Sequence, residues 1–136
     1  MKNIASYPST RLRRNRKTDW SRRLVQENNL STNDLIWPIF IREGKNIVEP
    51  IKSMPGVFRY SLDKVEQLVE RALKNKIPMI ALFPNTKESK KNLKGSEALN
   101  ENNLVCRALS VIKRNYKYIG LMCDVALDHF KSHGHE

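Results

Sequence analysis

At 136 residues and 15.8 kDa, the chain has room for one small domain or for part of a larger one. No apolar run approaches the roughly 20 residues of a membrane-spanning helix. The N-terminus also lacks the apolar stretch of a secretory signal, so no membrane partner and a cytoplasmic location are expected.

Several arginines and few acids among the first 23 residues leave an organelle transit peptide as an alternative. The formal net charge of +11 admits a polyanion partner. The lysines, however, are spread along the chain, and basic and aromatic residues are not interleaved as single-strand binders need. A basic subunit surface is the favoured reading, and a small nucleic-acid-binding protein the less favoured one. Cys106 and Cys123 make no disulfide framework and fit no metal spacing, so both are expected reduced and buried.

In chain order, residues 1–30 read as an extended basic arm. Arg11-Leu12-Arg13-Arg14-Asn15-Arg16-Lys17 has almost no apolar periodicity, and Trp20, Leu24 and Val25 offer a few anchoring points. Such an arm binds an anion, wraps an acidic neighbouring subunit, or is a solvated tail. Residues 35–41, Leu-Ile-Trp-Pro-Ile-Phe-Ile, form the first strong strand, apolar on both faces as in parallel sheets. Pro38 is awkward in a central strand and predicts a bulge or a break in pairing. A long loop to Tyr60 follows, with a Pro-Gly turn at Ser53-Met54-Pro55-Gly56.

Ser61 reads as an N-cap, with Asp63 and Glu66 at the positive end of the helix that follows. Leu62, Val65, Leu68, Val69, Ala72 and Leu73 recur at helical spacing, and the helix is expected to end near Asn75. Residues 77–83 make the second strand, closed by Pro84-Asn85. Residues 86–95, polar and lysine-rich, read as a solvated loop. A second helix from about Asn102 carries Leu104, Val105, Ala108, Leu109 and Ile112 on one face and stops near Asn115. The third strand, residues 119–123, ends on Asp124.

The order is arm, β, α, β, α, β, which argues for a parallel sheet with right-handed crossovers. The chemistry of such folds gathers at the carboxyl ends of the strands. There this chain places Asp124, Asp128, His129, His133, His135 and Glu136, including all three of its histidines. A sheet ending at its third strand has an unpaired flank, so residues 31–136 are expected to be part of a domain.

Six stretches, taken in order, resemble the N-terminal part of the porphobilinogen synthase family, also called 5-aminolevulinate dehydratase. They are Arg11-Leu12-Arg13-Arg14, Ile51-Lys52-Ser53-Met54-Pro55-Gly56-Val57, Leu82-Phe83-Pro84, Gly95-Ser96-Glu97-Ala98-Leu99-Asn100, Asp124-Val125-Ala126-Leu127-Asp128 and Ser132-His133-Gly134-His135. The resemblance runs from about residue 11 to the end and implies an α/β fold. It would comprise an N-terminal arm plus the first three βα-type units of a TIM (β/α)8 barrel, incomplete. It implies a hydro-lyase that joins two 5-aminolevulinate molecules into porphobilinogen with loss of water, on the way to haem. It also implies a homo-octamer clasped by the arm, with Arg11, Arg13 and Arg14 in subunit contacts.

By the same resemblance Asp124 is the active-site aspartate at the end of the third strand, beside the substrate amino group. Zinc-dependent relatives carry cysteines at the positions of Ala126, Asp128 and Glu136, so a thiolate zinc site is absent here. Oxygen ligands at Asp128 and Glu136 would suit Mg²⁺ or a monovalent cation. A structural role is favoured for His133 and His135. The chain departs from the family at Leu12 and Glu101, where proline is usual, and at His129, Lys131 and Glu136.

The family's Schiff-base lysines fall beyond residue 136, and no lysine here matches them. The 136-residue chain alone is therefore expected to be inactive. A non-catalytic remnant or subunit-binding piece is the alternative to an enzyme segment.

Overall fold

A computed structural model describes residues 6–11 and 13–132. It divides into two compact units, Met1–Ser31 and Thr32–Glu136. In the first, one 3-10 turn at Arg14–Arg16 precedes helix α1, Asp19–Leu24. Asp19 in its first turn reaches Arg22 at 3.6 Å and Arg23 at 3.1 Å, the spacing at which side chains on one helix face meet. Ser21 is its buried residue, whereas Trp20, Leu24 and Leu30 are exposed.

The second unit is a five-stranded sheet in the order β2-β3-β1-β4-β5. Its strands are β1 (Ile36–Arg42), β2 (Val48–Pro50), β3 (Phe58–Ser61), β4 (Met79–Asn85) and β5 (Gly120–Cys123). Helices α2 (Val65–Lys74) and α3 (Leu104–Asn115) connect the three parallel neighbours β1, β4 and β5. The βαβαβ alternation expected from hydrophobic period is present.

The long loop expected between residues 42 and 60 is instead a small β element. β2 runs antiparallel to β3, and β3 joins β1 in parallel at Phe40↔Arg59, Ile41↔Tyr60 and Arg42↔Ser61. Glu49 in β2 binds Arg42 in β1 and lies 3.8 Å from Arg59 in β3, tying the three strands by charge. Pro38 causes no break toward β4, where pairing is continuous from Ile36 to Arg42. On the other side of β1, pairing begins only at Phe40, so the strand accommodates a residue without an N–H. A cavity of about 300 Å³ opens there, between Trp37, Phe40, Met54, Phe58 and Arg71.

Two further expectations change. Ser61 does not cap α2; its hydroxyl accepts from the Ile47 N–H at 2.8 Å, and a 3-10 turn at Leu62–Lys64 precedes the helix. Residues 86–95 are not a free solvated loop, since Thr86 is buried and the segment is docked as described below. α3, in contrast, is capped by a side chain: Asn103 Oδ1 accepts from the Cys106 N–H at 2.9 Å. Cys106 and Cys123 are free thiols, half-buried and not fully buried.

Strand alternation gives the sheet two unlike faces. In register, Trp37, Ile80 and Leu121, then Ile39, Leu82 and Cys123, face α2 and α3. There they pack with Val65, Leu68, Val69, Ala72, Leu104, Ala108 and Ile112 into one core. The opposite rows are Ile36, Met79 and Gly120, then Pro38, Ala81 and Met122, then Phe40 and Phe83. Neither helix covers them, and Ile36 and Met122 are 48% and 45% exposed. A sheet with helices on one side and an apolar second face is one wall of a larger layered structure.

Candidate active site at the end of the last strand

Asp124 follows β5 directly, at the carboxyl end of the parallel strands. Its Oδ1 accepts a hydrogen bond from the Ala126 N–H at 2.9 Å, an Asx-type turn that fixes the carboxylate as the chain leaves the sheet. Its Oδ2 lies 3.4 Å from His129 Nε2. The Ala126 N–H, opposed by desolvation and helped by His129, holds the Asp124 carboxyl below its ordinary value. Asp124 is therefore an anion at neutral pH, accessible from solvent and already oriented.

His129 is placed by aromatic packing. Its ring meets Phe83 of the open sheet face edge-on at 6.5 Å, and Phe130 at the same distance. Phe130 is buried and anchors the 3-10 turn Asp128–Phe130. Asp128 Oδ1 sits 3.9 Å from His129 Nε2 and is a buried acceptor with no hydrogen-bond partner among the described residues. A buried carboxyl oxygen without a donor is a place that a cation or a bound amine would satisfy. Thus Asp124, Asp128 and His129 come together around one end of the sheet. Sequence reasoning placed His129 with the two aspartates in the cluster after the last strand but gave it no role at the site, noting it otherwise as a departure from the family pattern. Its position five residues after a strand-end carboxylate was the available signal.

Glu136, His133 and His135 lie outside the described residues. Among the described residues, no group of three or more His, Cys, Asp or Glu side chains is arranged to hold a metal ion. Among the described residues, the side chains that face Asp124 and its neighbour Asp128 offer oxygen and imidazole donors, a set that suits hard cations over thiophilic ones. In the other unit, Arg11 stacks its guanidinium over the Tyr7 ring at 5.7 Å, while Arg13 and Arg14 are exposed. Leu12 lies outside the described residues. No helix among the described residues is long and apolar enough to cross a membrane.

A second set of charged residues, which sequence reading missed, lies where β1 ends. Glu43 binds Arg107 of α3 and lies 3.5 Å from Lys90 Nζ, and Lys90 in turn donates to Glu97 at 3.0 Å. The partners of Glu43 are 47 and 64 residues away in sequence, so no local pattern marks them.

Comparison with known proteins agrees with this arrangement. The family model described as "Delta-aminolevulinic acid dehydratase" matches residues 9–136. The chain is 56% identical over 126 residues to the delta-aminolevulinic acid dehydratase of Bradyrhizobium diazoefficiens, covering 93% of this chain and 36% of that one. It is 41% identical to the Chlamydia pneumoniae protein of the same name over 128 residues, covering 94% and 39% of the two chains. A crystal structure of the Toxoplasma gondii ME49 enzyme, delta-aminolevulinic acid dehydratase (porphobilinogen synthase), holds its reaction product porphobilinogen. It superimposes with a TM-score of 0.82 at 35% identity, covering 98% of this chain and 36% of that chain.

The sheet and its two helices are thus an arc of an incomplete (β/α)8 barrel, and the chain spans little more than a third of the length of these relatives. By its sequence and its fold, the chain belongs to the delta-aminolevulinic acid dehydratase family.

Proposed function

We propose that these residues are the front part of a porphobilinogen synthase, contributing the N-terminal arm and one wall of the active site. The whole enzyme would condense two 5-aminolevulinate molecules into porphobilinogen, releasing water, in tetrapyrrole synthesis. The observation that carries this reading is the oriented Asp124 carboxylate at the carboxyl end of β5, in a chain of this family. A carboxylate held ionised and accessible can bind the cationic amine of a 5-aminolevulinate molecule. With His129 within 3.4 Å it can also take part in moving a proton.

The arm residues Arg11, Arg13 and Arg14 would serve as contacts to a neighbouring subunit in a homo-oligomer, an octamer by the resemblance. Asp128, with Glu136, would supply the oxygen ligands of a cation site suited to Mg²⁺ or a monovalent ion. The amine nucleophiles that form Schiff bases with substrate are assigned to lysines outside residues 1–136.

Borohydride reduction in the presence of 5-aminolevulinate tests that assignment. No substrate adduct is expected on any peptide from residues 1–136, in a native assembly that does become labelled. An adduct on one of these lysines would overturn it.

A further inference from the structure

The strap between β4 and α3, residues 86–103, is pinned at two places by quite different means. At one side it is pinned by charge. Glu43, just past β1, holds Arg107 and Lys90, and Lys90 donates to Glu97, which also accepts from Asn100 Nδ2 at 3.2 Å. The Glu43 side chain is 19% exposed and that of Glu97 15%, so these ions are largely withdrawn from water. With two carboxylates and two cations the group is neutral.

At the other side the strap is pinned by backbone. The Asn92 N–H donates to the Phe130 carbonyl, and the Ser132 N–H donates to the Asn92 carbonyl, both at 3.2 Å. Gly95 holds a left-handed φ of +63° there. A Cβ on it would sit 3.6 to 3.8 Å from Lys131, Phe130 and Leu127, so the strap lies flat on the segment that carries His129.

We propose that Glu43 is a positioning residue for the Asp124–His129 pair, acting through Lys90 and the strap. This rests on the reading of Asp124 as part of a porphobilinogen synthase site. Glu97 holds Lys90 within the strap, Glu43 ties Lys90 to the end of β1, and the two residues from Lys90 to Asn92 carry that position to Phe130. Phe130 packs edge-on against the His129 ring, which faces Asp124. Removing the Glu43 charge takes its carboxylate partner from Arg107, leaves Lys90 with Glu97 alone, and leaves two cations to one carboxylate in the group. The strap then loses its hold on the β1 end, and the 127–132 segment loses the surface against which it is set.

The test uses the full gene product in wild-type form and with Glu43→Gln, Lys90→Gln, Glu43→Asp, His129→Gln and the Glu43→Gln/His129→Gln pair. Hydrogen exchange reads the positioning without reference to activity. Glu43→Gln and Lys90→Gln are each expected to speed exchange about tenfold in residues 86–95 and at the Ala126 amide that Asp124 holds. Glu43→Asp is expected to restore part of the protection. Turnover of 5-aminolevulinate reads its use. Glu43→Gln and His129→Gln are each expected to lower kcat/KM about tenfold, and the pair to cost no more than either alone, because they act on one element.

Faster exchange confined to the strap, with Ala126 unchanged, would overturn the proposal. So would a paired variant about a hundredfold down, the additive result. Wild-type protein that turns over no 5-aminolevulinate would refute the functional reading. In that case exchange at Ala126 still decides whether Glu43 positions Asp124.

Discussion

The uncovered face of the sheet makes a strong prediction about a polypeptide of residues 1–136 produced alone. Ile36 and Met122 are about half exposed, and Phe40 and Phe83 beside them are only partly covered, their rings tilted against each other with centroids 5.6 Å apart. Full burial of such a side chain contributes about 1.5–3 kcal/mol. Covering the exposed part of these four side chains would therefore contribute about 3 kcal/mol, a factor of about a hundred in an association constant. A domain is typically stable by only about 5–15 kcal/mol, so that much uncovered surface is significant.

The isolated chain is expected to self-associate in sedimentation velocity, to bind an apolar dye such as ANS, and to melt without a sharp transition. Ile36→Lys with Met122→Lys should reduce both association and dye binding. In a protein whose remaining barrel covers this face, the same pair should instead destabilise by several kcal/mol, because it buries two unpaired charges. A soluble monomer of residues 1–136 with a cooperative melt and no dye binding would refute the reasoning.

Other outcomes follow from the same structure. Leu82→Ala, at a fully buried site in β4 against α2 and α3, is expected to cost about 2–5 kcal/mol, read as a lower urea midpoint of the full gene product. The Arg107 guanidinium holds the Glu43 carboxyl below its ordinary value of 4.5, against desolvation and with help from Lys90. Its contribution to stability is therefore complete above pH 4.5 and lost as pH falls through the lower folded value. Lys90 is shifted the other way by its hydrogen bond to Glu97. Its contribution is complete below pH 10.5 and lost as pH rises through the higher folded value. Urea titrations across both ranges should show these losses, and Glu43→Gln should reduce the acidic one, to which Asp63, Glu97 and Asp124 also contribute.

Asp124→Asn keeps the shape and removes the charge, and is expected to lower kcat/KM by about a hundredfold or more. Asp128→Asn should weaken any Mg²⁺ or monovalent-cation dependence of the native enzyme while leaving its fold intact, as followed by metal titration.

What the sequence disclosed, and what it hid, follows from the range of the interactions involved. α2, α3 and the three main strands were legible because burial imposes a period that neighbouring residues share. Val69 and Ala72 on one helix, and Ile80 and Leu82 on one strand, report the core to anyone counting spacings. β2 was not legible. Val48-Glu49-Pro50 is too short to show alternation, and its pairing with β3 is set by Phe58, Arg59 and Tyr60, beyond an intervening turn. Ser61 has the chemistry of an N-cap, yet its hydroxyl found the Ile47 N–H, a competitor that only the folded hairpin supplies.

The strap was misread for a similar reason. Lysines and asparagines look the same whether solvated or engaged, and the partners of Lys90 lie at Glu43 and Glu97. Asp124 was legible because a carboxylate at a strand end is unusual enough to be noticed. Its hydrogen bond to Ala126 and its neighbour His129 needed coordinates.

Porphobilinogen formation by native protein, captured from its source with an antibody raised against residues 32–132, decides whether these residues belong to a working porphobilinogen synthase. The captured material is expected to convert 5-aminolevulinate to porphobilinogen, and its polypeptide to be larger than 15.8 kDa. Captured protein that yields no porphobilinogen under any cation condition would contradict it.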